Sequence, residues 1–122
     1  MQSVICWTDI PVLDLDRAIG FYSAVLAAEV TKQSGPGFEF GLLPHAENTV
    51  GGCLVIGEEE RPSLHGPLVY LSVAGRLDTA IETVTQLGGQ VLAAKHSIGP
   101  HGFRALIVDS EGNKLALHSP TE

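Results

Sequence analysis

Two side chains that can trade a proton stand far apart in this sequence: Asp9, in ICWTDIPV, and His118, in NKLALHS. Side chains two apart on a strand share a face, so Asp9 goes with Trp7, Tyr70 with Leu68, and His118 with Ala116. If those faces border one cavity, Asp9, Tyr70 and His118 converge on one ligand. In a partly apolar cavity, desolvation and mutual charge bring such an aspartate and histidine toward the protonation states that acid–base catalysis needs. The same two residues equally suit a satisfied ion pair or hydrogen bond that only supports the fold, and both readings stay open at this level.

Other residues offer binding rather than reaction. Trp7, Phe38, Phe40 and Phe103 could build the apolar wall of a small-molecule pocket, or fill the core. The segment HSIGPHGFRAL, residues 96–106, combines two His, two Gly and a Pro. It reads as a turn or a lid at a cavity mouth, with His101 and Arg104 as contacts for a polar substrate group. His45 and His65 fall in polar stretches and read as solvated. Cys53, in GGCLV, has no basic neighbour in the sequence to activate it and reads as buried and inert. Gly51 and Gly52 lack the strand-to-helix setting of a phosphate loop.

Composition narrows the partners. The chain has 122 residues, 44% hydrophobic and 17% charged, which fits one domain with one core. Seven basic against 14 acidic residues give a net charge of −7, which excludes the usual phosphate-driven affinity for nucleic acid or anionic membranes. A neutral or cationic small molecule remains compatible with that charge. No apolar run reaches the roughly 20 residues of a membrane span, and the start MQSVICWTDIPV lacks the pattern of an export signal. Two cysteines, Cys6 and Cys53, fit reduced thiols better than a disulfide framework. A cytoplasmic protein is expected.

The elements that would position these residues come in two sets. A strand in ICWTDIPV leads to a helix over DLDRAIGFYSAVLAA, with Asp14 as N-cap and an apolar stripe of Leu15, Ile19, Tyr22 and Leu26. Strands follow in EVTKQ, FEFGLLP and TVGGCLVIG. After a charged linker at 58–67, the order repeats: PLVYLSV, the helix RLDTAIETVTQLGG ended by Gly88 and Gly89, then QVLAAK, GFRALIVD and NKLALHS. LDRAI at 15–19 matches LDTAI at 77–81, and Val30 matches Val91, at an offset of 61 to 62 residues. The pattern predicts an α+β fold of two βαβββ modules, about 3–57 and 68–119, with curved mixed sheets around a cavity and the helices outside.

The opening WTDIPVLDLDRAIGFYSAVL and the ending DSEGNKLALHS, with Gly112 closing a hairpin, resemble the vicinal oxygen chelate superfamily of glyoxalases, bleomycin-resistance proteins and extradiol dioxygenases. In its metal-dependent members, four strand residues of His, Gln or Glu type hold a divalent ion. The resemblance carries those positions onto Trp7, Leu68, Ala116 and the vicinity of Cys53. Trp, Leu and Ala offer no donor to such an ion, so the positions are vestigial and no cofactor is expected. The resemblance implies a metal-independent protein that binds a small organic molecule, with acid–base chemistry of a lyase or isomerase kind through Asp9 and His118. Trp7, Phe38, Phe40, Cys53, Tyr70, His101, Phe103 and Arg104 would then contact the ligand. Its alternative is a non-catalytic, drug- or metabolite-sequestering protein of the bleomycin-resistance type, taking a cationic drug at a dimer crevice. A metal-dependent lyase or dioxygenase is the third reading. A homodimer is implied by the resemblance alone.

Overall fold

The computed structural model describes residues 4–122. The expected start of the first module at residue 3, and the first three residues of the amino-terminal stretch, lie outside the described residues. The elements run β1 (Trp7–Pro11), α1 (Leu15–Leu26), β2 (Thr31–Gly35), β3 (Phe38–Leu42), β4 (Gly51–Val55), β5 (Val69–Ser72), α2 (Leu77–Gln86), β6 (Gln90–Ser97), β7 (Phe103–Val108) and β8 (Lys114–Ser119). The linker at 58–67 contains no helix or strand. Among the described residues no helix is long and apolar enough to cross a membrane.

These elements form two four-stranded mixed sheets, in the orders β1-β4-β3-β2 and β5-β8-β7-β6. In each, the strand before the helix pairs in parallel with the last strand of its module, and the remaining pairs are antiparallel. The two matched helical motifs begin the two helices at Leu15 and Leu77. Each helix packs on the sheet of its own module, and the two helices pack on each other. The core therefore collects Ala18, Phe21 and Val25 from α1, Ala80 and Val84 from α2, and the strand residues Ile10, Leu54, Ile107, Leu115 and Leu117 that face them. The opposite face of both sheets is left open, as an α+β fold with its helices on one side requires.

Helix α1 departs from its expected stripe. Leu15 and Tyr22 are buried as expected, but Ile19 and Leu26 sit at the margin while Ala18, Phe21 and Val25 are fully enclosed. A helix covered by both a sheet and a second helix buries a wider arc than one apolar stripe. Its cap is as expected: the Asp14 side chain accepts the Arg17 N–H at 3.0 Å.

The turn between β7 and β8 clasps the start of the first module. Asp109 Oδ1 accepts the N–H groups of Glu111, Gly112 and Asn113 at 2.8–2.9 Å, while Gly112 takes a φ of 108°. That conformation favours glycine. The Tyr22 hydroxyl donates to Asp109 Oδ2, and Asn113 Nδ2 donates to the Pro11 carbonyl at 2.7 Å. Glu111, its side chain fully enclosed, accepts the N–H groups of Leu13 and Asp14, both at 2.8 Å, and the Arg17 guanidinium at 2.7 and 2.9 Å. Burial by itself pushes the Glu111 carboxyl up, but the hydrogen bonds from Arg17, the Asp14 N–H, Ser110 and the Leu13 N–H hold it at about 2. Burial, reinforced by the Asp109 charge and hydrogen bond, raises the Tyr22 phenol well above its ordinary value.

Candidate functional site

Strands β1 and β5 are edges of separate sheets without a shared ladder, and they flank a common seam. A cavity of about 600 Å³ opens along this seam on the helix-free side, lined by Trp7, Asp9, Pro11, Leu68 and Tyr70 among others. A smaller one of about 370 Å³ reaches the same strands through Thr8, Ile10, Val69 and Leu71, whose side chains alternate to the other face. A third hollow of about 530 Å³ lies over the second sheet, between Tyr70, Ile98, His101, Arg104 and His118. Tyr70 borders all three.

Register places the open-face residues. Trp7 lies opposite Gly51, Asp9 opposite Cys53, Tyr70 opposite Ala116, and Arg104 opposite both His118 and His96. A Cβ on Gly51 would stand 3.1 Å from the Trp7 ring and 3.2 Å from the His45 ring, so glycine there leaves room for both. His45 meets Trp7 edge-on with ring centroids 6.3 Å apart, a neighbour that the sequence reading left in solvent.

Asp9 and His118 are not brought together. Asp9 Oδ1 accepts the Trp7 indole N–H at 3.0 Å and the Cys53 thiol at 3.2 Å. His118 Nε2 is 2.6 Å from the His101 carbonyl, and its ring lies 6.3 Å from that of Tyr70. Asp9 borders the seam cavity and His118 the hollow over the second sheet. Of the three polar groups expected to converge, each end shares a cavity with Tyr70 but not with the other.

The remaining candidates divide. Trp7 and Tyr70 border the seam cavity; His101 and Arg104 border the outer hollow. Phe38 and Phe40 stack on each other at 5.9 Å on β3, third in its sheet, and border none of these cavities. Phe103 does not join the wall: it packs against the core from the helix side, because its neighbour Arg104 takes the open face and alternation excludes both. Cys53 is buried, and burial together with the Asp9 hydrogen bond raises its thiol to about 11, which makes it a poor nucleophile at neutral pH. Residues 96–106 border the outer hollow through Ile98, His101 and Arg104. They complete β6, make one tight turn closed by Ile98 N–H to the Gly102 carbonyl at 2.9 Å, and begin β7.

Arg61 and Lys114 also border the seam cavity, and His96 supports Arg104. The sequence reading missed these three. Lys114 had a usable signal, since it lies two and four residues before Ala116 and His118 on one strand face. The four positions expected to correspond to metal ligands fall on β1, β4, the approach to β5, and β8. They hold an indole, a protonated thiol and two aliphatic side chains. That donor set does not fit a divalent ion.

The sequence matches no family model and no curated protein. In structure, a glyoxalase/bleomycin resistance protein from Albidiferax ferrireducens T118 superposes with a TM-score of 0.74 at 14% identity, over 96% of this chain and 98% of that one. A glyoxalase I mutant from Zea mays gives 0.70 at 22% identity, over 94% of this chain but 45% of that one, so this chain spans about half the maize protein. A genomically encoded fosfomycin resistance protein from Listeria monocytogenes gives 0.68 at 15% identity, over 98% and 94%. The fold is the glyoxalase-like fold that the two terminal motifs implied.

Proposed function

We propose that this chain binds a small organic molecule in the seam cavity between β1 and β5, without a divalent metal. The observation that carries the reading is the cavity of about 600 Å³, a size usual for small-molecule sites, with Trp7, Pro11 and Leu68 as apolar wall and Asp9 and Tyr70 as polar groups. Binding is better supported than proton transfer. Asp9 and His118 have separate partners and separate cavities, so an acid–base relay between them lacks a common point of action. Asp9 Oδ2, which has no protein partner among the described residues, remains available to a ligand donor.

A homodimer belongs to this proposal. Trp7, Phe38, Val50 and Tyr70 are large, apolar-bodied and exposed, three of them bordering the seam or lying beside it. A second copy covering this face would close the cavity to solvent. The reading as a sequestering protein for a cationic drug fares less well, because Arg61 and Lys114 stand at the rim.

Trp7 is the only tryptophan, so its fluorescence reports on the cavity directly. Aromatic probes of metabolite size should change that emission saturably, and raise the unfolding temperature, equally with added zinc, nickel or manganese and with chelator. Leu68→Glu should abolish the response. Stoichiometric metal uptake that the probes require would overturn the metal-independent reading, and probes that leave Trp7 unchanged would overturn the site. Analytical ultracentrifugation should show a dimer; a strict monomer would overturn that part.

A further inference from the structure

We infer that the ligand is an organic anion, whose carboxylate or phosphonate head sits in the hollow over the second sheet while its apolar body occupies the seam cavity. This rests on the seam cavity being the binding site. The starting observation is how the seven basic side chains are used. Arg17, Lys32 and Lys95 are in ion pairs, and Arg76 donates to the Val25 carbonyl at the end of α1. Arg61, Arg104 and Lys114 have no ion pair among the described residues, and all three border the two adjoining open-face cavities. In a chain of net charge −7, three of the four basic side chains without an ion pair among the described residues are gathered in one place.

Arg104 is also held in position. Its Nε donates to His96 Nε2 at 3.0 Å, and His96 Nδ1 stands 2.8 Å from the Ala94 carbonyl. The two contacts together require the neutral histidine with its proton on Nδ1, so His96 acts as an acceptor that orients the guanidinium and adds no charge. Nη1 donates to the Tyr70 hydroxyl, and the guanidinium carbon lies 5.8 Å from that ring's centroid. Among the described residues, Nη2 and one Nη1 hydrogen have no protein acceptor. The Tyr70 oxygen accepts from Arg104, so its own proton is free to donate. His101 borders the same hollow, its ring has no hydrogen bond among the described residues, and the His118 contact fixes its backbone. Among the described residues no carboxylate lines this hollow.

A planar guanidinium whose fork is pre-oriented and unpaired, beside a phenol donor, matches the two oxygens of a carboxylate or phosphonate. An uncharged ligand would leave those donors facing solvent, and a cation would be repelled. Tyr70 joins the two compartments, which sets the ligand's shape: an apolar ring or chain beside Trp7 and Leu68, with its acid toward Arg104.

The test titrates the protein with matched probes, following Trp7 emission and the histidine ring signals by NMR: naphthoate, naphthylphosphonate, naphthamide, naphthylmethylamine, and inorganic phosphate alone. The acids should bind at least about tenfold more tightly than the amide, and the amine weakest. Added salt should erode that advantage. Arg104→Gln should bring the acids down to the level of the amide, and Arg104→Lys should keep part of the advantage. His96→Ala should reduce the preference with Arg104 still present. Equal binding of acid and amide, or a preference that survives Arg104→Gln in a variant with native circular dichroism, overturns the anion proposal and leaves the cavity reading standing. Failure of every naphthyl probe overturns the cavity reading and this proposal with it. Relative binding of the two acids and inorganic phosphate assigns the head group.

Discussion

In the first module, the connection between β3 and β4, residues 43–50, is exposed from Pro44 onward and holds itself by local contacts such as Thr49 to the Ala46 carbonyl. At the same point of the second module, residues 109–113 between β7 and β8 are knitted around Asp109 and reach across to the other half through Glu111 and Asn113. The open faces differ as well. The first carries aromatic rings, a thiol and the Asp9 carboxylate, the second an oriented arginine among histidines. Strand order and helix placement repeat across the halves; polar chemistry does not. A duplicated backbone thus supplies the frame, and the second half supplies the fastening carboxylate and the oriented cation.

The sharpest way to break this comparison is Glu111→Ala. It strips an acceptor from two backbone N–H groups and from Arg17, and should cost ~3 kcal/mol by urea unfolding. Glu47→Ala, in the exposed connection of the first module, should stay within about 0.5 kcal/mol. Equal losses would remove the asymmetry. Acid tests the same contact without mutation. The Glu111 carboxyl sits below its ordinary 4.5 when folded, at about 2, so its contribution is complete above the ordinary value and disappears as pH falls toward 2. Up to ~3 kcal/mol should be lost across that window, and Glu111→Gln should flatten this part of the pH profile.

Gly51→Ala should have a smaller effect, about 1 kcal/mol, because the Trp7 and His45 rings at 3.1 and 3.2 Å must give way. A shifted Trp7 emission is the expected sign, and unchanged emission would mean that the rings do not share that space. Thiol labelling perturbs least. Exposed Cys6 should react in the native protein and buried Cys53 only on unfolding. Rapid labelling of both would contradict the enclosed, Asp9-bonded thiol.

Much of the frame was legible because its signals are local. Asp14 stands one residue before a helical stripe, and the LDxAI pairs mark both helix starts. Strand alternation puts Trp7, Asp9 and Tyr70 on one face, and all three border the seam cavity. The same alternation keeps Phe103 and Arg104 from lining one face, so the expectation of both at the cavity fails on Phe103. The Glu111–Arg17 pair was out of reach, since 94 residues separate its members. His96 was hidden for a different reason: β6 shifts register between Val91 and Ala93 and again before His96, which breaks simple alternation. Arg61 lies in a loop with no periodicity to place it.

The reach of residues 109–113 back to Pro11, Leu13 and Asp14 also sets a schedule for synthesis. On the ribosome, α1 emerges with its own Asp14 cap, but the carboxylate that fastens its first turn is translated 97 residues after Asp14. Until then the nascent first half has its helix without its lock, and native order awaits contacts of long sequence separation. A chain halted before residue 109 should release a provisional, protease-sensitive intermediate, although every strand of its first sheet has been made.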